Sequence, residues 1–163
     1  MRRASQRAAA GRGGLPNAIF IWAPVERLPP ELTGVTELHM IMPWGSLLRA
    51  VAGGDPEVLA GLAGACRPGA RFRIALNLHP WRSAGGGAVP ELGGLPEPDP
   101  GWAQTTLADR YAVAGWQLDQ ADYLTGPEIE ALDSSWTRRL RSSRPGRFDV
   151  LALTGTVTPQ VQR

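Results

Sequence analysis

The chain has 163 residues, a formal charge of +2 from 17 bases against 15 acids, and 43% hydrophobic residues. That length suits one domain around one core, and that hydrophobic share excludes wholesale disorder. No apolar run reaches the ~18–20 residues of a membrane span. All 17 bases are arginine, and with so small a net charge their placement matters more than their number. A single cysteine, Cys66, excludes an intrachain disulfide framework and a zinc cluster. His39 and His79 lie far apart, so no metal is expected. Ser46 follows Gly45 without a second glycine, so no serine-hydrolase elbow is present.

Residues 1–14 hold four arginines and no acid. They read as a basic segment, either a remnant helix stopped by Gly11, Gly13 and Gly14 or a disordered stretch. A single domain is expected over 15–158, with 159–163 as a tail. Ala18–Ala23 is an uninterrupted apolar run and predicts a buried strand. Glu37–Met42 predicts a second strand, ended by Pro43. Trp44–Ala52 has helical composition. Asp55, Pro56 and Glu57 form an N-cap, a first-turn proline and a first-turn acid, opening a helix over Pro56–Ala65. Arg67-Pro68-Gly69 ends it, and Arg71–Leu78 predicts a third strand. Residues 83–101 contain six glycines and four prolines and predict a long mobile loop. Leu107–Ala114 predicts a helix stopped by Gly115, and Trp116–Leu124 a strand. Thr125 and Glu128 form a capping box with Pro127 in the first turn, opening a helix to about Arg141. Phe148–Val157 predicts the last strand. Strands alternating with helices imply an α/β fold with a mostly parallel sheet covered on both faces.

The step from Leu62 through Arg67-Pro68-Gly69 into an apolar strand resembles the corresponding step of Rossmann-like, class I S-adenosylmethionine-dependent methyltransferases. Tyr111–Trp116 resembles their next helix-to-strand step. Asn17–Pro29, Met42-Pro-Trp-Gly-Ser-Leu-Leu48, Ser134-Ser-Trp-Thr-Arg-Arg-Leu140 and Arg147–Gly155 resemble the KamB/NpmA family. These are aminoglycoside-resistance methyltransferases that modify an adenine ring nitrogen in the 16S rRNA decoding site. The resemblance runs from about Gly13 to Val157. It implies S-adenosyl-L-methionine as cofactor and 16S rRNA within the small ribosomal subunit as partner. It also implies a cytoplasmic monomer with no metal and no membrane partner. Family members begin with a glycine-rich strand turn and a second strand ending in an acid, which hold the cofactor. Nothing before Asn17 has that pattern, so the sheet is expected to be N-terminally incomplete, without its first strand-helix-strand unit.

Met42-Pro43-Trp44 falls at a strand's carboxyl end, where doubly wound sheets bind ligands. Trp44 reads either as a core tryptophan or as a stacking platform for the target base. Trp136 shares a helical stripe with Ile129, Leu132 and Leu140, which by periodicity is a core face. The resemblance instead places Pro43, Trp44 and Trp136 at the catalytic site, the two tryptophans holding a flipped adenine between them. An adenine ring nitrogen carries a lone pair, so alignment rather than a general base is required. The resemblance also assigns Val25, Glu26, Ile41, Ser46 and Ser134 to the cofactor. By sequence alone Glu26 is a solvated loop residue. Arg138, Arg139, Arg141, Arg144 and Arg147 lie within ten residues with no acid among them. Some complement a helix dipole; beside Trp136 they also suit an rRNA phosphate surface. Two alternatives remain, a truncated, catalytically inactive RNA-binding remnant and a small-molecule methyltransferase of the same fold.

Overall fold

The computed structural model describes residues 17–19, 21–82, 92–132 and 150–158. β1 spans Val35–Ile41, and α1 follows at Gly45–Gly53. α2 (Pro56–Ala65) begins as predicted: the Asp55 carboxylate accepts from the Glu57 and Val58 amides at 3.0 and 3.1 Å. β2 covers Cys66–Asn77 and leads into the short α3, His79–Arg82. α4 is composite, with a first turn at Pro100–Trp102, a π-helical stretch at Ala103–Leu107 and an α-helical end at Ala108–Val113. β3 is Trp116–Tyr123 and α5 is Gly126–Ala131, the latter opened by the Thr125/Glu128 capping box. β4 is Val150–Val157. No helix among the described residues is long and apolar enough to cross a membrane.

The strands form one sheet in the order β1-β2-β4-β3. β1 pairs parallel with β2, while β4 pairs antiparallel with both β2 and β3. Hence β1, β2 and β3 point the same way, and β4 enters between β2 and β3 in the opposite sense. The prediction of a mostly parallel sheet therefore holds for strand direction but not for pairing, because only one of the described ladders is parallel. The expected helix-ending Arg67-Pro68-Gly69 is absorbed into β2 as an irregularity: Val35 pairs Cys66, and Glu37 already pairs Arg71.

Alternation sorts the side chains. Phe72, Ile74 and Leu76 of β2, with Leu151 and Leu153 of β4, join Leu48, Val51, Leu59, Leu107, Tyr111 and Trp116 in the main core. This face carries α1, α2 and α4. Buried polar tips are satisfied there: the Tyr111 hydroxyl donates to the Val51 carbonyl at 2.7 Å, and Trp116 Nε1 donates to the Leu59 carbonyl at 2.9 Å. On the opposite face a smaller cluster of Met42, Ala75 and Val150 is covered by Ile41, Leu124, Ile129 and Leu132. The rest of that face presents Glu37, His39, Arg71, Arg73, Thr154 and Thr156 around an open groove of about 420 Å³. Cover on both faces is thus only partial among the described residues.

Three expectations require correction. The described residues of Ala18–Ala23 are not a strand, and Ile19 and Trp22 are 86% and 89% exposed. An extended apolar segment becomes a strand only where a neighbouring edge takes its amides and carbonyls, and this one pairs with none of the four strands. The expected loop 83–101 is ordered in its second part. There Leu92 is buried, Trp81 Nε1 donates to the Leu95 carbonyl at 3.2 Å, and Arg82 Nε donates to Glu97 at 2.6 Å. Residues 83–91 lie outside the described residues. Finally, the helix expected at Leu107 starts at Pro100, where Asp99 accepts from the Trp102 amide at 2.9 Å. The glycine-rich composition obscured that cap.

Gly155 is the most closely enclosed of the described glycines. A Cβ there would stand 1.9 Å from the Gln117 carbonyl oxygen and 2.7 Å from the Phe72 ring. Backbone cannot yield as a side-chain tip can. Gly155→Ala is therefore expected to destabilise the fold by about 3 kcal/mol, the upper part of the overpacking range. Urea unfolding monitored by circular dichroism measures it, and a loss below about 1 kcal/mol would contradict the close packing.

Candidate functional site

The common direction of β1, β2 and β3 brings their carboxyl ends to one edge of the sheet. At the end of β1 the backbone turns sharply. Met42 adopts φ 51°, the one left-handed non-glycine residue among those described. Such a conformation costs about 1–2 kcal/mol for an L-residue. The Met42 amide still donates to the Ala75 carbonyl at 2.8 Å, extending the parallel ladder by one residue. Pro43 is buried. Gly45 follows with φ 60°, and α1 begins.

Trp44 stands at this turn as the N-cap residue of α1 and makes no side-chain cap hydrogen bond. Its ring is 62% exposed, so the core reading fails and the indole is open to a planar ligand. Ser46 lies on the first turn of α1, beside Glu26 of the 24–27 turn. The Ser46 hydroxyl, with Glu26's own backbone amide, holds the Glu26 carboxyl below its ordinary value of 4.5. The neighbouring Val25 packs against the main core. The structure thus joins Glu26, Ser46 and Trp44 around the start of α1. Ile41 is turned away from them, with its side chain on the opposite face of the sheet. Ser134, Trp136, Arg138, Arg139, Arg141, Arg144 and Arg147 lie outside the described residues.

Further along the edge, the turn after β2 is fixed by Asn77, whose Oδ1 accepts from the His79 amide at 3.0 Å. Arg82 is bound by Glu97, which with the Tyr123 hydroxyl holds the guanidinium firmly charged. Sequence reasoning missed this pair, because fifteen residues and a glycine-rich stretch separate its members and no periodic signal links them. Cys66 is excluded as a nucleophile: its thiol is buried, pushed up by desolvation, and donates to the Leu62 carbonyl at 3.4 Å. No group of three metal-ligating side chains occurs among the described residues.

The edge offers an ionised carboxylate, a hydroxyl and an exposed indole around a helix start. This suits one wall of a nucleoside-type cofactor site, with Glu26 and Ser46 as polar contacts, next to a platform for a base. A glycine-rich strand turn and a strand-end acid are not among the described residues.

The profile of the NpmA family, described as 16S rRNA (adenine(1408)-N(1))-methyltransferase, matches residues 1–156. A 16S rRNA (adenine(1408)-N(1))-methyltransferase of Streptoalloteichus tenebrarius is 58% identical over 161 residues, covering 98% of this chain and 72% of that protein. The crystal structure of the 16S rRNA methyltransferase KamB superposes with a TM-score of 0.85 at 56% identity, covering 98% of this chain and 72% of that one. A tryptophan-to-alanine variant of the enzyme from Catenulisporales acidiphilia, solved with its cosubstrate S-adenosylmethionine, gives a TM-score of 0.82 at 33% identity, covering 100% of this chain and 72% of that one. Sheet, edge and likeness together define a Rossmann-like, class I S-adenosylmethionine-dependent methyltransferase fold. Within that class, the chain belongs to the NpmA family of 16S rRNA (adenine(1408)-N(1))-methyltransferases.

The Glu26–Ser46 contact has a pH signature. A carboxyl with a depressed pKa keeps its hydrogen bond at neutral pH and loses it as pH falls through that depressed value. In Ser46→Ala the Glu26 carboxyl is expected to titrate at higher pH than in the parent chain, since the largest cause of its lowering is gone. Carbon-detected NMR titration of the glutamate carboxyls measures this, and an unchanged Glu26 midpoint would exclude Ser46 as the cause.

Proposed function

We propose that this chain acts in methylation of the N1 atom of a decoding-site adenine in 16S rRNA, with S-adenosyl-L-methionine as methyl donor, producing aminoglycoside resistance. The observation that carries the reading is Trp44, an exposed indole on the strand-end turn of a chain 58% identical to an enzyme of that name. When bound, S-adenosyl-L-methionine supplies an electrophilic methyl group. The residues of the chain have three tasks.

The first is presentation of the base. Trp44 stacks on one face of an extruded adenine, and Trp136 takes the other, with Pro43 stiffening the turn beneath. Stacking aligns the N1 lone pair, and no group need remove a proton first. The second is cofactor contact, shared by Val25, Glu26, Ile41, Ser46 and Ser134. Ile41 contributes through its backbone, since its side chain faces away. The third is docking on RNA. Arg138, Arg139, Arg141, Arg144 and Arg147 contact phosphates that fix orientation, while RNA shape and the extruded base give specificity. The chain works as a cytoplasmic monomer on the assembled small subunit and requires no metal.

N1 methylation blocks the Watson–Crick edge, so reverse transcriptase halts at the modified adenine. Primer extension on small subunits treated with chain and cofactor is expected to show that stop. Trp44→Ala and Trp136→Ala are each expected to abolish it while changing cofactor affinity less than threefold. Arg139→Ala/Arg144→Ala is expected to weaken subunit binding at least tenfold and to flatten its salt dependence. Near-normal methylation in either tryptophan variant would remove the base-clasping role. Unchanged binding of the arginine variant would remove the docking role.

A further inference from the structure

Strand alternation places Leu38 and Met40 of β1 towards the main core, and the next residue of that series is Met42. Instead Met42 packs with Ile41 on the opposite face, in the cluster formed by Ala75, Val150, Leu124, Ile129 and Leu132. The left-handed backbone at Met42 produces this reversal. The strained conformation and the side chain's position therefore depend on one another. We infer that Met42 is a positioning residue whose buried side chain, held between the sheet and α5, locks the left-handed turn and so aims Trp44.

The chemistry of the cluster supports this. Met42 is 7% exposed, Ala75 and Val150 are fully buried, and every member is apolar. A flexible thioether side chain fills such a gap without demanding a hydrogen bond. The cluster draws on all four strands at the edge that carries the carboxyl ends of β1, β2 and β3: Ile41 ends β1, Ala75 lies in β2, Leu124 follows β3, and Val150 begins β4. Ile129 and Leu132 come from α5 and its cap. A change in the seat of α5 is thereby transmitted to the Trp44 turn through one side chain. This inference rests on the reading of Trp44 as the platform for the target base.

The test incorporates 5-fluorotryptophan into the full chain, which has six tryptophans, and identifies the Trp44 fluorine signal by its loss in Trp44→Phe. Met42→Ala and Ile129→Ala are each expected to shift or broaden the Trp44 signal while those of Trp81, Trp102 and Trp116 stay in place. Met42→Leu is expected to restore it. Met42→Gly accommodates the left-handed backbone without strain and so retains the fold; it is still expected to displace Trp44, since the locking side chain is gone. In methyl transfer, kcat/KM for the small subunit is expected to fall about tenfold in Met42→Ala and to recover within threefold in Met42→Leu. Combining Met42→Ala with Ile129→Ala should add little, because both break one coupling. A Trp44 signal unmoved in Met42→Gly or Ile129→Ala overturns the inference, as does a shift shared equally by Trp116. A parent chain that transfers no methyl group counts against the proposed function alone, since the fluorine signal reads the coupling without turnover.

Discussion

The sheet is continuous only because the last strand in sequence sits inside it. β2 and β3 do not touch as neighbours; β4 bonds to both, through Ala70–Asn77 on one side and Trp116–Tyr123 on the other. Two features follow from this insertion. Gly155 must be glycine where β4 passes under the Phe72 ring and beside the Gln117 carbonyl. Val150, at the start of β4, offers its carbonyl to the Leu124 amide at 2.8 Å and its side chain to Met42 and Ala75. The end of β3, the second half of α5 and the turn after β1 therefore all gather around the start of β4.

Much of this architecture can be read directly from residues. The Asp55 cap, the Thr125/Glu128 box and the alternation of Arg71, Arg73 and Ala75 with Phe72, Ile74 and Leu76 are local, and local chemistry decides them. The direction of β4 is not local. A strand's own pattern is the same whether its neighbour runs with it or against it, so a buried apolar run suggested parallel pairing. Ala18–Ala23 failed for a related reason. Hydrophobicity reports a need for burial, but not whether a sheet edge is at hand to satisfy it. The exposure of Ile19 and Trp22 records that need unmet by the four strands described.

At the site, the position of Trp44 was legible because a proline after an apolar strand marks a strand end. The reversal of Met42 was not. Glycine and asparagine announce left-handed turns, whereas methionine carries no such signal, and its packing near Ile129 and Leu132 is tertiary. The Glu26–Ser46 contact was equally hidden, since it joins a loop and a helix twenty residues apart with no spacing rule. Tertiary contacts of this kind distinguish a binding edge from an ordinary strand terminus.

The electrostatics of the edge fit the proposed chemistry in a way that neither the fold nor the motif requires. Methylation at a ring nitrogen turns a neutral adenine into a cation, so positive charge grows on the base as the transition state is approached. An aromatic face attracts such charge through its quadrupole. In the proposed function, stacking on Trp44 would be stronger in the transition state than in the ground state, which is the condition for accelerating a reaction rather than merely binding its substrate. Glu26, whose carboxyl Ser46 at the helix start holds below its ordinary value, adds negative charge to this edge. Arg82 adds little opposing field because Glu97 neutralises it. In the proposed function the indole would serve both as a shape-selective platform and as the group that senses the developing charge, and by the inference drawn above its aim would depend on the buried methionine two residues before it.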